Sequence, residues 1–179
     1  MAAATQHTHP EQLMKRVLLI DDHSIVLQGC RRLLQNLDIR DIIEATNLDS
    51  GYRLFRSDKP DVIVVDLALR DRKAAQSGLR GLLLIRSIRA EDSDVPILVF
   101  SMHDHPAIVR RAFDAGATGF LSKDAAPECF LEAFSAVCSG IPYLAHRLAL
   151  QIAFLAPPDH IDPHTRLTRR ELAIVCSPR

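Results

Sequence analysis

The sequence predicts an α/β protein with a doubly wound, five-stranded parallel sheet. Short apolar runs recur along the chain and alternate with segments whose apolar residues have helical spacing. Such continuous runs are typical of strands that helices cover on both faces. Polar residues follow four of the runs, namely Asp21 with Asp22, then Asp66, Ser101 and Lys123. Because function gathers outside the carboxyl ends of strands in open α/β sheets, we expect these residues to share one crevice.

The predicted strands, in order, are residues 17–20, 42–44, 62–65, 96–100 and 119–121. An amphipathic helix is predicted after each strand, and Gly or Pro marks many of the helix ends. Ser24 suits the N-cap of the first helix, Lys59-Pro60 stops the second, Pro106 and Pro127 suit the first turns of the last two, and Gly116 and Gly140 end them. This βα order predicts the strand order 2-1-3-4-5 of flavodoxin-like sheets.

Composition favours one domain with an appendage. The chain has 179 residues, 47% of them hydrophobic, and its formal net charge of zero gives no support for DNA binding by this chain alone. We expect a flexible tail at 1–14, the α/β domain at 15–140, and a linker helix with a Pro-rich linker at 141–166. No apolar run is long enough for a membrane span, so we expect no membrane partner.

The cysteines show no zinc-like spacing. Cys30 and Cys138 fall on apolar helix faces, which predicts buried thiols in a reducing compartment and hence a cytoplasmic protein.

Three carboxylates in one crevice predict a divalent cation site. Asp21, Asp22 and Asp66 would raise one another's cost of ionisation, and a bound cation relieves that repulsion. Ligation by oxygen with open water positions suits Mg²⁺ better than zinc. The addition of Ser101 and Lys123 to the crevice predicts that a phosphoryl group binds beside the metal.

The five polar residues, in this order on these elements, resemble the receiver domain of two-component response regulators. The stretch SMHDHPAIVRRAFDAGATGFLSKDAAPE resembles the LuxR-type branch, whose members carry a C-terminal helix-turn-helix domain. The resemblance covers roughly residues 15–140. It implies Mg²⁺ ligation by Asp22 and Asp66 directly, by Asp21 partly through water, and by the backbone carbonyl of Ala68.

The resemblance also implies a switch. Asp66 would be the phosphoacceptor, with Lys123 offsetting charge on the phosphoryl oxygens. Ser101 would donate a hydrogen bond to the phosphoryl group, and Phe120 would then rotate into the vacated space. His103 is either a modulator of hydrolysis at the phosphate edge or an exposed bystander.

The implied partners are a sensor histidine kinase and a second copy of the chain in a phosphorylation-dependent homodimer. Residues 167–179 contain the capping box Thr168–Glu171 and resemble the truncated start of a LuxR-type helix-turn-helix domain. We therefore expect control of transcription only through a complete output domain. The chain would be no enzyme beyond its own phosphorylation and dephosphorylation.

Two alternatives stay open. One is a phosphorylation-independent interaction module, because the loop after Asp66 is longer than usual and lacks the common Met-Pro. The other is an aspartyl phosphatase, although Ala68 stands where such an enzyme needs a second Asp.

Overall fold

A computed structural model of the protein describes residues 15–69 and 79–155, with side chains through residue 153. Three predicted features lie outside the described residues: the tail at 1–14, most of the loop after Asp66, and the segment from 156 onward with the Pro-rich linker and the start of the helix-turn-helix.

Strands and helices alternate throughout the described residues. In chain order they are β1 Val17–Ile20, α1 Ser24–Gln35, β2 Ile42–Ala45, α2 Leu48–Asp58, β3 Val62–Val65, α3 Gly81–Glu91, β4 Ile97–Ser101, α4 Pro106–Asp114, β5 Gly119–Ser122, α5 Pro127–Cys138, β6 Tyr143–Leu144 and α6 His146–Leu155. None of these helices has the length and apolar character that a bilayer crossing requires.

The strands form one parallel sheet in the order β2-β1-β3-β4-β5-β6. The predicted order 2-1-3-4-5 is therefore confirmed. The two-residue β6, which pairs with the outer edge of β5, was not predicted. Two residues are too few to show any periodicity, so the sequence carries no signal for this strand.

Two apolar layers cover the sheet, one on each face. Alternate residues of β1 enter different layers: Leu18 and Ile20 join one cluster, and Val17 and Leu19 join the other. All four are at most 1% exposed, which confirms that the apolar runs are strands buried on both faces. The first layer contains side chains of α2, α3, α4 and α6, and the second contains those of α1 and α5.

Most helix ends follow the predicted signals. Pro106 and Pro127 stand in the first turns of α4 and α5, and Gly116 has the positive φ of 104° that ends α4. The prediction that Ser24 caps α1 was wrong by one residue. His23 is the N-cap, because its backbone is extended and its carbonyl accepts the N–H groups that close the first turn.

The predicted linker helix is α6, and it packs on the domain. Leu148 is 3% exposed and belongs to the same apolar cluster as Val109 and Ala112 of α4. An ion pair of 3.7 Å joins Arg147 to Asp104 just before α4. The apolar stripe of such a helix can pack on its own domain or on another surface. In this structure the stripe of α6 packs on the domain.

The described cysteines Cys30, Cys129 and Cys138 are free thiols. Cys30 is buried as predicted, whereas Cys138 is only partly buried because it ends α5, where the helix leaves the core.

Candidate functional site

Backbone hydrogen bonds place Asp21 and Asp66 side by side. The ladder of the sheet continues one residue beyond the strands, since the Asp66 N–H donates to Ile20 at 2.9 Å and the Asp21 N–H donates to Ala45 at 3.0 Å. Both residues therefore stand at the carboxyl edge of the sheet, on its central strands. Their side chains are 6% and 3% exposed, which is unusual for carboxylates.

Lys123 binds both of these carboxylates. Its Nζ lies 2.6 Å from Asp21 Oδ2 and 3.0 Å from Asp66 Oδ2, and its side chain is 8% exposed. The Lys123 N–H donates to the carbonyl of Ser101 at 3.0 Å, which ties the ends of β4 and β5 together. The structure thus joins four of the five predicted strand-end positions through direct hydrogen bonds.

The ammonium of Lys123 stays charged in this setting. Burial alone would lower the pKa of Lys123, but the hydrogen bonds and the negative charges of Asp21 and Asp66 outweigh burial and raise its pKa. Lys123 therefore remains a cation at neutral pH. One ammonium faces the carboxylates of Asp21, Asp22 and Asp66, so the site keeps an excess of negative charge.

The opposite side of the carboxylates is suited to a second cation. Within the described ranges no hydrogen-bond partner reaches Asp66 Oδ1, although this atom is buried. One ligand atom each from Asp21, Asp22, His23 and Asp66 lies within 4.8 Å of all the others. Ligands on opposite sides of one octahedral Mg²⁺ are about 4.2 Å apart, so these residues fit a divalent ion after small adjustments.

His23 is a member of this group that the sequence analysis did not single out. Its Nδ1 lies 3.2 Å from Asp21 Oδ1 and 3.0 Å from Asp22 Oδ1. The side chain of Asp21 also accepts the His23 N–H at 2.9 Å. The available signal was the position directly after the Asp pair, at the turn from β1 into α1.

Ser101 and Phe120 are buried, and only Ser101 borders the site. The Ser101 side chain is fully buried, and its Oγ accepts the His103 N–H at 3.4 Å. His103 itself is exposed. Phe120 is fully buried in the apolar layer, on β5 between Val99 of β4 and Leu144 of β6. Ala68, the residue predicted to offer a carbonyl, is partly buried two positions beyond Asp66.

Gly81 packs closely against the backbone of Asp66 and Leu67 and so helps to set the position of Asp66. A Cβ atom on Gly81 would lie 2.3 Å from the Asp66 carbonyl oxygen and 2.7 Å from the Leu67 Cα. The Gly81 N–H donates to the Leu67 carbonyl at 3.0 Å. Glycine is therefore required where α3 begins, because backbone atoms cannot yield as a flexible side chain can.

The floor of the site is apolar. A narrow crevice beside Asp21 and Asp66 is lined mainly by side chains of β1 and α1, including Cys30, with Val64 of β3 and Phe100 of β4. Burial, reinforced by the nearby Asp21 charge, raises the pKa of the Cys30 thiol to about 12, so this thiol is neutral at physiological pH. An apolar floor strengthens electrostatic interactions among the charged groups above it.

Comparison with known proteins gives consistent matches. The family model described as the response regulator receiver domain matches residues 17–135. The methanol utilization control regulatory protein MoxX of Paracoccus denitrificans is 37% identical over 175 residues, covering 98% of this chain and 76% of that protein. The response regulator UvrY of Escherichia coli K12 is 33% identical and covers 90% of this chain and 72% of that protein.

A solved structure agrees with these matches. The crystal structure of a LuxR-family two-component response regulator from Aurantimonas sp. SI85-9A1 is 34% identical, with a TM-score of 0.69. It covers 79% of this chain and 96% of the solved chain.

We expect Gly81→Ala to lower the free energy of unfolding by about 1–3 kcal/mol, because the added methyl group must displace the backbone at Asp66. Gly29→Ala is the matched control, since nothing lies within 4 Å of its added Cβ in the exposed face of α1. The control should gain up to about 1 kcal/mol from helix propensity. Urea denaturation measures both changes, and an equally stable Gly81→Ala protein would contradict the packing described.

We expect Mg²⁺ to raise the melting temperature of the wild-type protein, since an ion that binds only the folded state stabilises it. At a hundred times the dissociation constant the gain is about 2.7 kcal/mol. Asp22→Asn should lose most of this gain, whereas Asp94→Asn at an exposed position should keep it. Differential scanning fluorimetry with and without Mg²⁺ measures the shifts. An undiminished shift in Asp22→Asn would place the ion elsewhere.

Proposed function

This chain belongs to the response regulator receiver family, and from that premise we propose that Asp66 accepts a phosphoryl group from a sensor histidine kinase. The contact between Lys123 and Asp66 Oδ2 is the observation that carries the proposal. It places a permanent cation beside a buried carboxylate whose other oxygen has no partner in the part of the chain that the structure describes. A nucleophile for phosphoryl transfer needs this combination of a negatively charged oxygen and a fixed counter-charge.

The transfer joins an oxygen of Asp66 to phosphorus. With a phosphohistidine donor, the new P–O bond forms as the P–N bond breaks, and the bonding electrons leave with the imidazole nitrogen, which takes a proton from solvent. The product is an acyl phosphate on Asp66. We assign the attack to Oδ2, because this oxygen faces the ammonium that would hold the arriving phosphoryl oxygens.

The charges within the site determine the roles that we assign to Lys123, Asp21 and Asp22. Lys123 would exchange one carboxylate contact for the phosphoryl oxygens and remain protonated throughout. Asp21 and Asp22, with Asp66 Oδ1 and the Ala68 carbonyl, would hold Mg²⁺. When bound, Mg²⁺ supplies positive charge against the phosphoryl group that Lys123 alone does not supply. Hydrolysis of the acyl phosphate would return the chain to its starting state without any further enzymatic activity.

The switch would run from Ser101 to the far edge of the sheet. Ser101 is fully buried, and among the described residues its Oγ has one long contact, of 3.4 Å, with the His103 N–H, so the hydroxyl can turn toward a phosphoryl group. Movement of the loop that follows Ser101 would give Phe120 room to change its position, and the exposed His103 would move with that loop. The pairing of Phe120 with Leu144 then passes the change to β6 and α6.

The output would follow from rearrangement of α4, β5 and α6. Because α6 packs on α4, a homodimer that uses the face of α4 under α6 would require α6 to shift, and phosphorylation would supply the bias. Control of transcription would act through a DNA-binding output domain, as the similarity to LuxR-family regulators suggests. We assign no DNA contact to the described residues.

We expect acetyl phosphate with Mg²⁺ to add one phosphoryl group to the wild-type protein, as measured by intact mass spectrometry. Asp66→Asn should give no adduct, because the amide lacks the nucleophilic charge, whereas the exposed Asp94→Asn should react like the wild type. A folded wild-type protein that gains no adduct would instead support the phosphorylation-independent interaction module. An adduct that persists in Asp66→Asn would move the acceptor to another residue.

A further inference from the structure

We propose that His23 is a nitrogen ligand of the metal site and raises its relative affinity for borderline transition ions, such as Co²⁺, above that of an oxygen-only site. The inference rests on the proposed metal site and adds a residue and an ion class to it. Its basis is the position of the imidazole. His23 Nδ1 lies about 3 Å from carboxylate oxygens of both Asp21 and Asp22, within the same 4.8 Å group as Asp66.

The two oxygens of each paired carboxylate have different neighbours. The Oδ2 atoms of Asp21 and Asp66 bind Lys123 at 2.6 and 3.0 Å. The Oδ1 atom of Asp21 faces His23 instead, and the buried Oδ1 of Asp66 lacks a hydrogen-bond partner among the described residues. The ammonium therefore neutralises one side of the cluster, and the other side presents Oδ1 atoms together with an imidazole nitrogen.

The backbone holds His23 in this place. His23 is the N-cap of α1, with φ of −102° and ψ of 108°, and its N–H is bound by Asp21 Oδ1 at 2.9 Å. Its side chain makes no capping hydrogen bond, and its Nδ1 instead lies within hydrogen-bond distance of Asp21 Oδ1, at 3.2 Å. The ring is 49% exposed, which lets it adjust to an ion without opening the core.

The types of ligand atom decide which ions the site binds more tightly. Imidazole suits the later first-row transition ions, whereas Mg²⁺ prefers oxygen ligands and retains its water. A site with three carboxylates and one imidazole should therefore bind Co²⁺ more tightly than a site with carboxylates alone, while Mg²⁺ gains little. This would let two kinds of divalent ion support the same receiver.

The affinity test compares Co²⁺ and Mg²⁺ by isothermal titration calorimetry. All proteins carry His7→Ala and His9→Ala, so that imidazoles of the N-terminal segment cannot contribute to the measured binding of transition ions. We expect His23→Ala to lower the ratio of Co²⁺ to Mg²⁺ affinity at least tenfold. His146→Ala, at an exposed position on α6, should leave the ratio unchanged. Equal losses for both ions in His23→Ala would overturn the inference.

The second readout does not depend on the folding of the His23 variant. Pulsed electron paramagnetic resonance of Mn²⁺ bound to the His7→Ala, His9→Ala protein should show coupling to a ¹⁴N nucleus, and Asp66→Asn should lose the bound ion. Binding of Mn²⁺ at the Asp66 site without ¹⁴N coupling would overturn the role of His23 and leave the proposed function intact. A protein that binds neither Mn²⁺ nor Mg²⁺ at this site would overturn both.

Discussion

Excess negative charge at the carboxyl edge of a buried parallel sheet is the constraint on which this structure depends. The hydrogen-bond ladder forces Asp21 and Asp66 together, and neither carboxylate can turn to bulk solvent. Their mutual repulsion is tolerated because Lys123 binds one oxygen of each. Lys123 therefore neutralises one side of the site only. Under the proposed function, the remaining negative charge would attract a cation, which in turn would favour a phosphoryl group.

The same lysine connects the charge balance to the fold. Lys123 follows β5, and its N–H binds the carbonyl of Ser101 at the end of β4, so one residue links the acidic pair to the loop that would move. Phe120 lies three residues earlier on the same strand, next to Leu144 of β6. Under the proposed function, a change of charge at Asp66 would thus reach α6 through short, direct contacts, without any long-range pathway.

The sequence predicted the sheet and its functional edge, because uninterrupted apolar runs end in polar residues whose order places them together. It did not predict Gly81 as a support of Asp66, since that role depends on a backbone contact between segments that are distant in sequence. The sequence analysis did not single out His23, because its proximity to the carboxylates depends on the orientation of its imidazole ring at the N-cap of α1. The sequence shows that α6 has an apolar stripe but not which surface the stripe covers, so the packing of α6 on α4 was not predicted.

A double-mutant cycle between Asp66 and Lys123 tests the central claim most directly. The free energies of unfolding of Asp66→Asn, Lys123→Met and the double variant would be measured by urea denaturation at neutral pH without divalent ions. If the two groups form the buried pair described, Lys123→Met alone should cost roughly 3–5 kcal/mol. Asp66→Asn should then recover part of that loss, with a coupling energy of at least about 1 kcal/mol. Additive effects would contradict the account, because they would show that the charge of Lys123 does not offset the buried charge of Asp66.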